Sequence, residues 1–386
     1  TLDLDEVRHI NSAFGPQAGD AVMVDVAEQL RRLLPDEGLV GRLGGDQYVI
    51  ALPLAGDATA APLAERILIA LNAVRVGGRD MRVTGSLGVA LYPAHGDSTA
   101  QLVVHAETAT RHAKLAGRNT HAQFAEWMSV DAEQDQRLLE DLHKAIGTAQ
   151  LTLHYQPRVR ADSDRVSGAE ALIRWRHPVH GPVPSERVIR LAEQNGMMDV
   201  IGLWVLDEAC RQIRCWHDAG HADWQVSDNL SGLQLDSPRL VEDVRQVLQR
   251  NELEPSRLVL EVSENAVTRD ADAAVGMLRA IAALGVGISI DDFGTGFSSL
   301  LQLRRLPATE IKIDRAFVVA LEDSDEDVVV VSAIVALGHA LNMEVVAKGI
   351  ETSGQRTYAE RLGCDHLQGH QLGRPVSAES FMRLYG

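Results

Sequence analysis

Apolar positions change their period several times along this chain. From Gly19 to Leu34, Val22, Val26, Leu30 and Leu33 recur at three- and four-residue steps, as on a helix with one buried face. The run from Val40 to Leu52 reads instead as strand, glycine turn at Gly44-Gly45, and strand. Met81 to Leu91 predicts another strand, followed by a helix that includes Lys114 and Arg118. With a helical region after Asp5 broken at Gly15-Pro16, residues 1–127 alternate strand-like and helix-like runs, the pattern of an α/β or α+β domain. Leu138, Leu139, Leu142 and Ile146 then fall at helical spacing within a charged stretch, Glu126 to Thr148, and predict an amphipathic linker helix over 128–148.

Beyond the linker, short β-rich runs alternate with helices at a regular beat. They are Leu151 to Val159, Gly168 to Trp175, Gln225 to Leu230, Arg257 to Val262, Gly287 to Ile290, Glu310 to Ile313, Glu344 to Ala347 and Asp365 to Leu367. Eight such runs predict an α/β domain of the (β/α)8-barrel type over 149–386, with its chemistry at the C-terminal ends of the strands. The polar residues obey that rule. Glu170 lies in the second run, Asn229 ends the third, and Glu261 and Glu264 close the fourth. Asp291 and Asp292 end the fifth, Lys312 and Asp314 the sixth, Lys348 and Glu351 the seventh, and Gln368 follows the eighth. Singly, each would serve as well for a helix cap or an ion pair. Together they form a ring of carboxylates with one amide oxygen, a donor set for Mg2+ or Mn2+ rather than zinc. Such acids would hold metal around a phosphodiester, with a lysine to neutralise phosphate or leaving-group charge.

Composition narrows the partners. The 386 residues suffice for two domains, and a formal net charge of -17 argues against a nucleic-acid-binding surface. The cysteines, Cys210, Cys215 and Cys364, are too few for a disulfide framework and predict a reducing, cytoplasmic setting. No apolar run approaches the ~20 residues that span a bilayer. The chain opens at Thr1, without Met and inside a strand-to-helix unit, which suggests a fragment of a larger protein with an upstream sensor or membrane region.

The segments LDLDEVRHIN, FGPQAGDAV, GRLGGDQYVIAL, VTGSLGVALYP and AKLAGRN resemble the GGDEF family, the diguanylate cyclases, over residues 1–127. That resemblance implies an α+β domain whose central sheet contains antiparallel strands. It also implies metal ligands at Asp3 and Asp46, guanine recognition by Asn11 and Asp20, and phosphate contacts from Lys114 and Arg118. The chain departs from the pattern at Gln47, a neutral amide in place of an acid, and at Pro35 to Gly38, where the family's inhibitory Arg-x-x-Asp motif is lost. Val7 replaces the usual Phe of the first helix. The expectation is a degenerate cyclase domain, with a vestigial site and GTP as its one candidate ligand.

Glu170-Ala171-Leu172 within GAEALIRWRHP, followed by DNLS, LEVSE, DDFGTGFSSL, EIKIDRAFV and LQGHQLGRP, resembles the EAL family of cyclic-di-GMP phosphodiesterases and receptors over residues 149–386. The resemblance implies a first metal on Glu170, Asn229, Glu261 and Asp291, with Asp292 serving a second. It implies that Lys312 assists the attacking water, that Arg174 contacts ligand phosphate, and that Asp314 and Gln368 line the ligand site. Ca2+ would act as an inhibitory substitute for Mg2+ or Mn2+. The departure is Ala347-Lys348-Gly349-Ile350-Glu351, where the family carries Ala-Glu-Gly-Val-Glu and the first glutamate is a metal-site acid and proposed general base. Losing a general base costs roughly 10^2- to 10^4-fold in rate, and a protonated amine repels any cation beside it. Lys348 is instead suited to hold ligand phosphate, leaving one metal or none. Ser185 and Val188, where the family has Pro-Pro and then Phe, are expected to alter a wall near the ligand or a dimer face.

The reading that follows is a tandem signalling protein that binds cyclic-di-GMP in its second domain, with hydrolysis lost or strongly impaired. The alternatives are an active phosphodiesterase yielding linear pGpG, with a regulatory first domain, and a ligand-free interaction scaffold. A homodimer is the family-based expectation for assembly.

Overall fold

The computed structural model describes residues 1–5, 7–54, 59–72, 75–76, 79–80, 83–269, 271–295 and 300–386. Two compact units divide the chain, Thr1–Leu138 and Leu139–Gly386. The sequence places the division at a linker over 128–148. The contacts divide it inside one helix.

In the first unit, β1 (Leu2–Leu4) is followed by α1 (Val7–Phe14) and α2 (Pro16–Leu33). The helical region breaks at Gly15, whose φ of 86 no β-carbon residue adopts readily, and Pro16 then opens α2. A helix starting near Gly19 is therefore three residues too short, because proline is preorganised for the first helical position. Val22, Val26 and Leu30 of α2 face the core with Leu2, Leu4, Tyr48 and Leu87. β2 (Leu39–Gly44) and β3 (Gln47–Ala51) form the hairpin around Gly44-Gly45. After α3 (Ala60–Leu71) comes a separate two-stranded pair, β4 (Arg75–Val76) and β5 (Arg79–Asp80). The strand expected from Met81 to Leu91 is β6 (Gly85–Val89), with residues 81 and 82 outside those described. α4 (Thr99–Leu115) and β7 (His121–Gln123) complete a sheet of order β2-β3-β1-β6-β7. Its pairs are antiparallel except β6–β7.

α5 (Glu126–Ala145) carries the predicted amphipathic stripe, with Leu138, Leu142 and Ala145 fully buried. On the second unit's side of the division, Asp141 of this helix accepts at 3.1 Å from His177 Nε2. The tautomer follows from His177 Nδ1, which accepts from the Val179 and His180 amides.

The second unit is a barrel. Its strands are β8 (Leu151–Arg160), β9 (Val166–His177), β11 (Gln225–Leu230), β12 (Leu258–Ser263), β13 (Gly287–Phe293), β14 (Glu310–Ile313), β15 (Glu344–Lys348) and β16 (His366–Gln368). Two short additions, β10 (Gly181–Val183) and β17 (Val376–Ser377), pair outside the ring with β9 and β8. Neighbours from β9 round to β16 run parallel, while β8 closes the ring antiparallel to both β9 and β16. The barrel is thus of the (β/α)8 type with one reversed strand. The cause is local: the connection from Arg160 to Val166 is a turn, and a turn can only join antiparallel neighbours. At the end of the barrel where the parallel strands begin, Arg158 of β8 donates to Glu310 of β14 and to Gln225 of β11, both at 2.5 Å. The opposite end holds the polar ring.

Candidate functional site

Period-two alternation aims Glu170, Asn229, Glu261 and Lys312 at the barrel interior while Ala169, Ala171, Leu260 and Ile311 pack outward. Lys312 Nζ lies 2.9 Å from Glu170 Oε2 and 2.6 Å from each oxygen of Glu261. Asn229 Nδ2 donates to Glu170 Oε1 at 2.8 Å, and Gln368 Nε2 to Glu170 Oε2 at 2.7 Å. Glu170, Glu261, Lys312 and Gln368 are all buried. Each charged group is paired and hydrogen-bonded, the condition under which burial of charge is tolerated.

Beside this cluster stands a second one. Lys348 Nζ lies 2.6 Å from Asp291 Oδ2 and 3.1 Å from Asp292 Oδ1. Two consecutive strand residues ordinarily point to opposite faces. Here the β13–β14 register shifts between Ile290 and Phe293, so that Asp291 and Asp292 together stand opposite Lys312. Asp292 takes a left-handed φ of 52, which aspartate tolerates better than most residues. The bulge brings both carboxylates to one ammonium. Glu264 then accepts from Gly294 N at 3.1 Å, just past the end of the strand; Gly296, the second glycine after the two aspartates in the sequence, lies outside the described residues.

Burial opposes ionisation of Glu170, but Lys312 and Lys348 outweigh it and hold its carboxyl down to about 2. Burial and the Glu170 carboxylate push Glu261 the other way, up to about 7, against the pull of Lys312. The two acids thus titrate as a pair sharing one ammonium. Burial also works against both lysines. Glu170, Glu261 and Asp291 nevertheless raise Lys312 well above its ordinary value. Lys348, also opposed by Lys312, is raised by Asp291 and Glu170. Both amines remain ammonium ions.

Divalent metal fits this donor set only in part. Glu170, Glu261, Asp291 and the amide oxygen of Asn229 are hard oxygen donors, and Asp291 Oδ1 is buried without a hydrogen-bond partner. A first cation would satisfy that oxygen. A second does not fit, because the Lys348 ammonium already occupies Asp291 Oδ2 and Asp292 Oδ1. Among the described residues no group of three or more His, Cys, Asp or Glu side chains converges as a metal site; Lys312 gathers Glu170 and Glu261 onto itself.

Other expected residues are engaged elsewhere. Arg174 NH1 donates to Ile173 O at 2.8 Å and to Ser185 Oγ at 2.7 Å, and Ser185 Oγ donates to Ile173 O. Asp314 caps the helix Arg315–Val319, accepting from Ala316 N at 2.8 Å. Val188 itself is fully buried, so at this departure from the family pattern it is Ser185 that touches an expected ligand-site residue, Arg174. The sequence reading missed Gln156 on β8, whose Oε1 accepts from Gln368 Nε2 at 3.2 Å. The alternation His154, Gln156, Arg158 was its only signal.

In the first unit, Asp3 Oδ1 lies 2.6 Å from Lys114 Nζ and Oδ2 accepts from Gln47 Nε2 at 2.8 Å. Both oxygens of the expected metal ligand are therefore covered by donors within the chain. Asp46 lies in the hairpin turn and gives its carbonyl to Leu4 N. Asn11 Oδ1 is buried without a partner, against Gly19, whereas Asp20 and Arg118 are exposed.

A profile of the EAL domain family matches residues 139–375, and the diguanylate cyclase GGDEF profile matches residues 1–120. The chain is 46% identical over 382 residues to the bifunctional diguanylate cyclase/cyclic di-GMP phosphodiesterase MucR of Pseudomonas aeruginosa, covering 99% of this chain and 56% of that protein. It is 38% identical over 388 residues to the cyclic di-GMP phosphodiesterase NbdA of the same organism, covering 100% of this chain and 50% of NbdA. The chain spans about half the length of these curated relatives. Among solved structures, the PaMucR phosphodiesterase in complex with c-di-GMP superposes with a TM-score of 0.61 at 54% identity, covering 64% of this chain and 99% of that one. No helix among the described residues is long and apolar enough to cross a membrane.

Proposed function

The chain belongs to the EAL family and carries a GGDEF domain ahead of its EAL domain; from that premise we propose that it is a cyclic-di-GMP signalling protein whose barrel binds the dinucleotide, with hydrolysis lost or strongly impaired. The observation that carries this reading is the Lys348 ammonium on Asp291 and Asp292. A fixed positive charge sits on the acids that would serve a second cation, and the carboxylate that would act as general base is gone. Binding needs neither loss repaired. Lys348 and Arg174 supply charge-assisted contacts for phosphate oxygens once the ligand competes for them. A first Mg2+ or Mn2+, held by Glu170, Asn229, Glu261 and Asp291, would polarise a phosphoryl oxygen. The complex of the 54%-identical PaMucR phosphodiesterase with c-di-GMP supports the choice of ligand.

The first domain, on this reading, is not a working cyclase. Gln47 donates a hydrogen bond to Asp3 where a second acid would demand a cation, and Lys114 neutralises the remaining oxygen.

Calorimetric titration with cyclic-di-GMP in Ca2+, followed by product analysis in Mg2+ and Mn2+, tests the proposal. Saturable binding with the ligand recovered intact supports it. Rapid appearance of linear pGpG would make the chain an enzyme despite Lys348, and absence of binding would leave an interaction scaffold.

A further inference from the structure

Gln156 stands outside the ring of charged residues, yet it decides which way one of them is served. It lies on the reversed strand β8, directly opposite Glu170 of β9 in the ladder. Its Nε2 donates to Gly373 O at 3.2 Å and its Oε1 accepts from Gln368 Nε2 at 3.2 Å. Gln368 Nε2 in turn donates to Glu170 Oε2 at 2.7 Å.

The direction of this chain is fixed from its far end. A backbone carbonyl accepts and never donates, so Gly373 O forces Gln156 to present its NH2 there and its oxygen to Gln368. Gln368 must then turn its own NH2 inward, where it has one hydrogen for Gln156 and one for Glu170. Gly373 itself is held fast. A β-carbon at that position would collide with Pro157 and with the Tyr385 hydroxyl, and the Gly373 amide is bonded to Gly369 O at 3.0 Å. Gln371 N is bonded to Ile350 O, two residues beyond Lys348. The anchor is therefore a turn packed against β8, not a free loop.

We propose that Gln156 is a positioning residue for the ligand site: by fixing the Gln368 amide it keeps a third donor on Glu170, beside Lys312 and Asn229, and so holds that carboxylate in its ligand-ready orientation. The proposal rests on the cyclic-di-GMP reading of the barrel for its affinity consequence, and on geometry alone for the amide orientation. Without Gln156, the Gln368 NH2 is free to rotate about its last torsion, and Glu170 keeps only two fixed donors.

The test is a double-substitution cycle with a spectroscopic readout. Gln156→Leu, Gln368→Ala and the double variant are titrated calorimetrically with cyclic-di-GMP beside the parent. Gln156→Leu is expected to weaken binding by about tenfold, the effect of one well-placed hydrogen bond, but by less than about twofold when Gln368 is already alanine. Equal factors in both backgrounds overturn the route through Gln368. In ligand-free protein labelled with 15N-glutamine, the Gln368 side-chain NH2 pair, identified by its loss in Gln368→Ala, is expected to shift in Gln156→Leu. An unmoved pair overturns the contact itself. Should the parent bind no cyclic-di-GMP, the functional reading fails, and the NH2 spectrum alone decides the positioning role.

Discussion

Lys312 meets Glu261 twice, with its Nζ 2.6 Å from each carboxylate oxygen and its side chain sealed inside the barrel. The same ammonium also holds Glu170. Replacing it by an apolar chain of similar length leaves two buried acids without their counterion. Lys312→Met is expected to destabilise the protein by about 3–5 kcal/mol, the cost of breaking a buried pair. Urea unfolding measures it, and a loss below about 1 kcal/mol would mean that the acids simply take up protons on burial.

Lys348→Glu exchanges a cation for an anion beside Asp291 and Asp292. If this position is the principal lesion, hydrolysis of cyclic-di-GMP in Mg2+ or Mn2+ rises by roughly 10^2- to 10^4-fold, the worth of a general base. Chromatography of the linear product reads the outcome. The variant also acquires three clustered acids, so Mn2+ should raise its Tm far more than that of the parent. At a free ion concentration 100-fold above Kd the stabilisation is about 2.7 kcal/mol. A variant that neither turns over nor responds to Mn2+ would place the defect elsewhere, with Ser185 the next position to restore.

Asp292 owes its place to a left-handed backbone. Asn and Ala at 292 remove the same charge, but only Asn keeps a side-chain oxygen able to accept from Lys348 Nζ and a tolerance for that backbone conformation. Asp292→Ala should be less stable than Asp292→Asn by about 1–2 kcal/mol, the cost of that conformation for a residue with a β-carbon and no local hydrogen bond. Equal midpoints in urea would show that the bulge relaxes when the carboxylate leaves.

The hydrogen bond from His366 holds the Glu344 carboxyl below its ordinary value of 4.5. A carboxyl so lowered stabilises the fold above that value, and the contribution disappears as pH falls through the lower, folded one. Glu344→Gln should therefore be less stable than the parent at pH 6, with the gap closing below pH 4.5. Because Glu344 is half-exposed, the gap is under about 1 kcal/mol. Thermal melts across that range check the sign; a gap that widens in acid refutes it.

Much of this site was legible because parallel strands end together. Asn229, Glu261, Asp291 and Lys312 each stand near the end of an apolar run, and a barrel gathers such ends at one rim. Gln156 escaped that rule, since β8 is reversed and its middle, not its end, comes level with Glu170. The joint approach of Asp291 and Asp292 to Lys348 was hidden for another reason: strict alternation would separate them, and only the register shift at Ile290 brings them together. Arg174 and Asp314 were recognised as charged groups near the site, but their partners are short-range ones, Ser185 and the Ala316 amide. Sequence pattern places a side chain on a face; it does not say which neighbour will satisfy it. Gln47 shows the same limit, for its neutrality was plain while its hydrogen bond to Asp3 was not.

The bridge from Lys348 to Asp291 and Asp292 also has a genetic consequence. Lysine and glutamate codons differ only in their first base (AAA or AAG against GAA or GAG). A single transition therefore separates this chain from one with an acid at 348. With lysine the two aspartates carry their counterion in the polypeptide itself, independent of ion supply; with glutamate they must draw it from the medium. A lineage can exchange a built-in ammonium for a bound cation at these two aspartates without rebuilding the barrel, and it can change back by the same base.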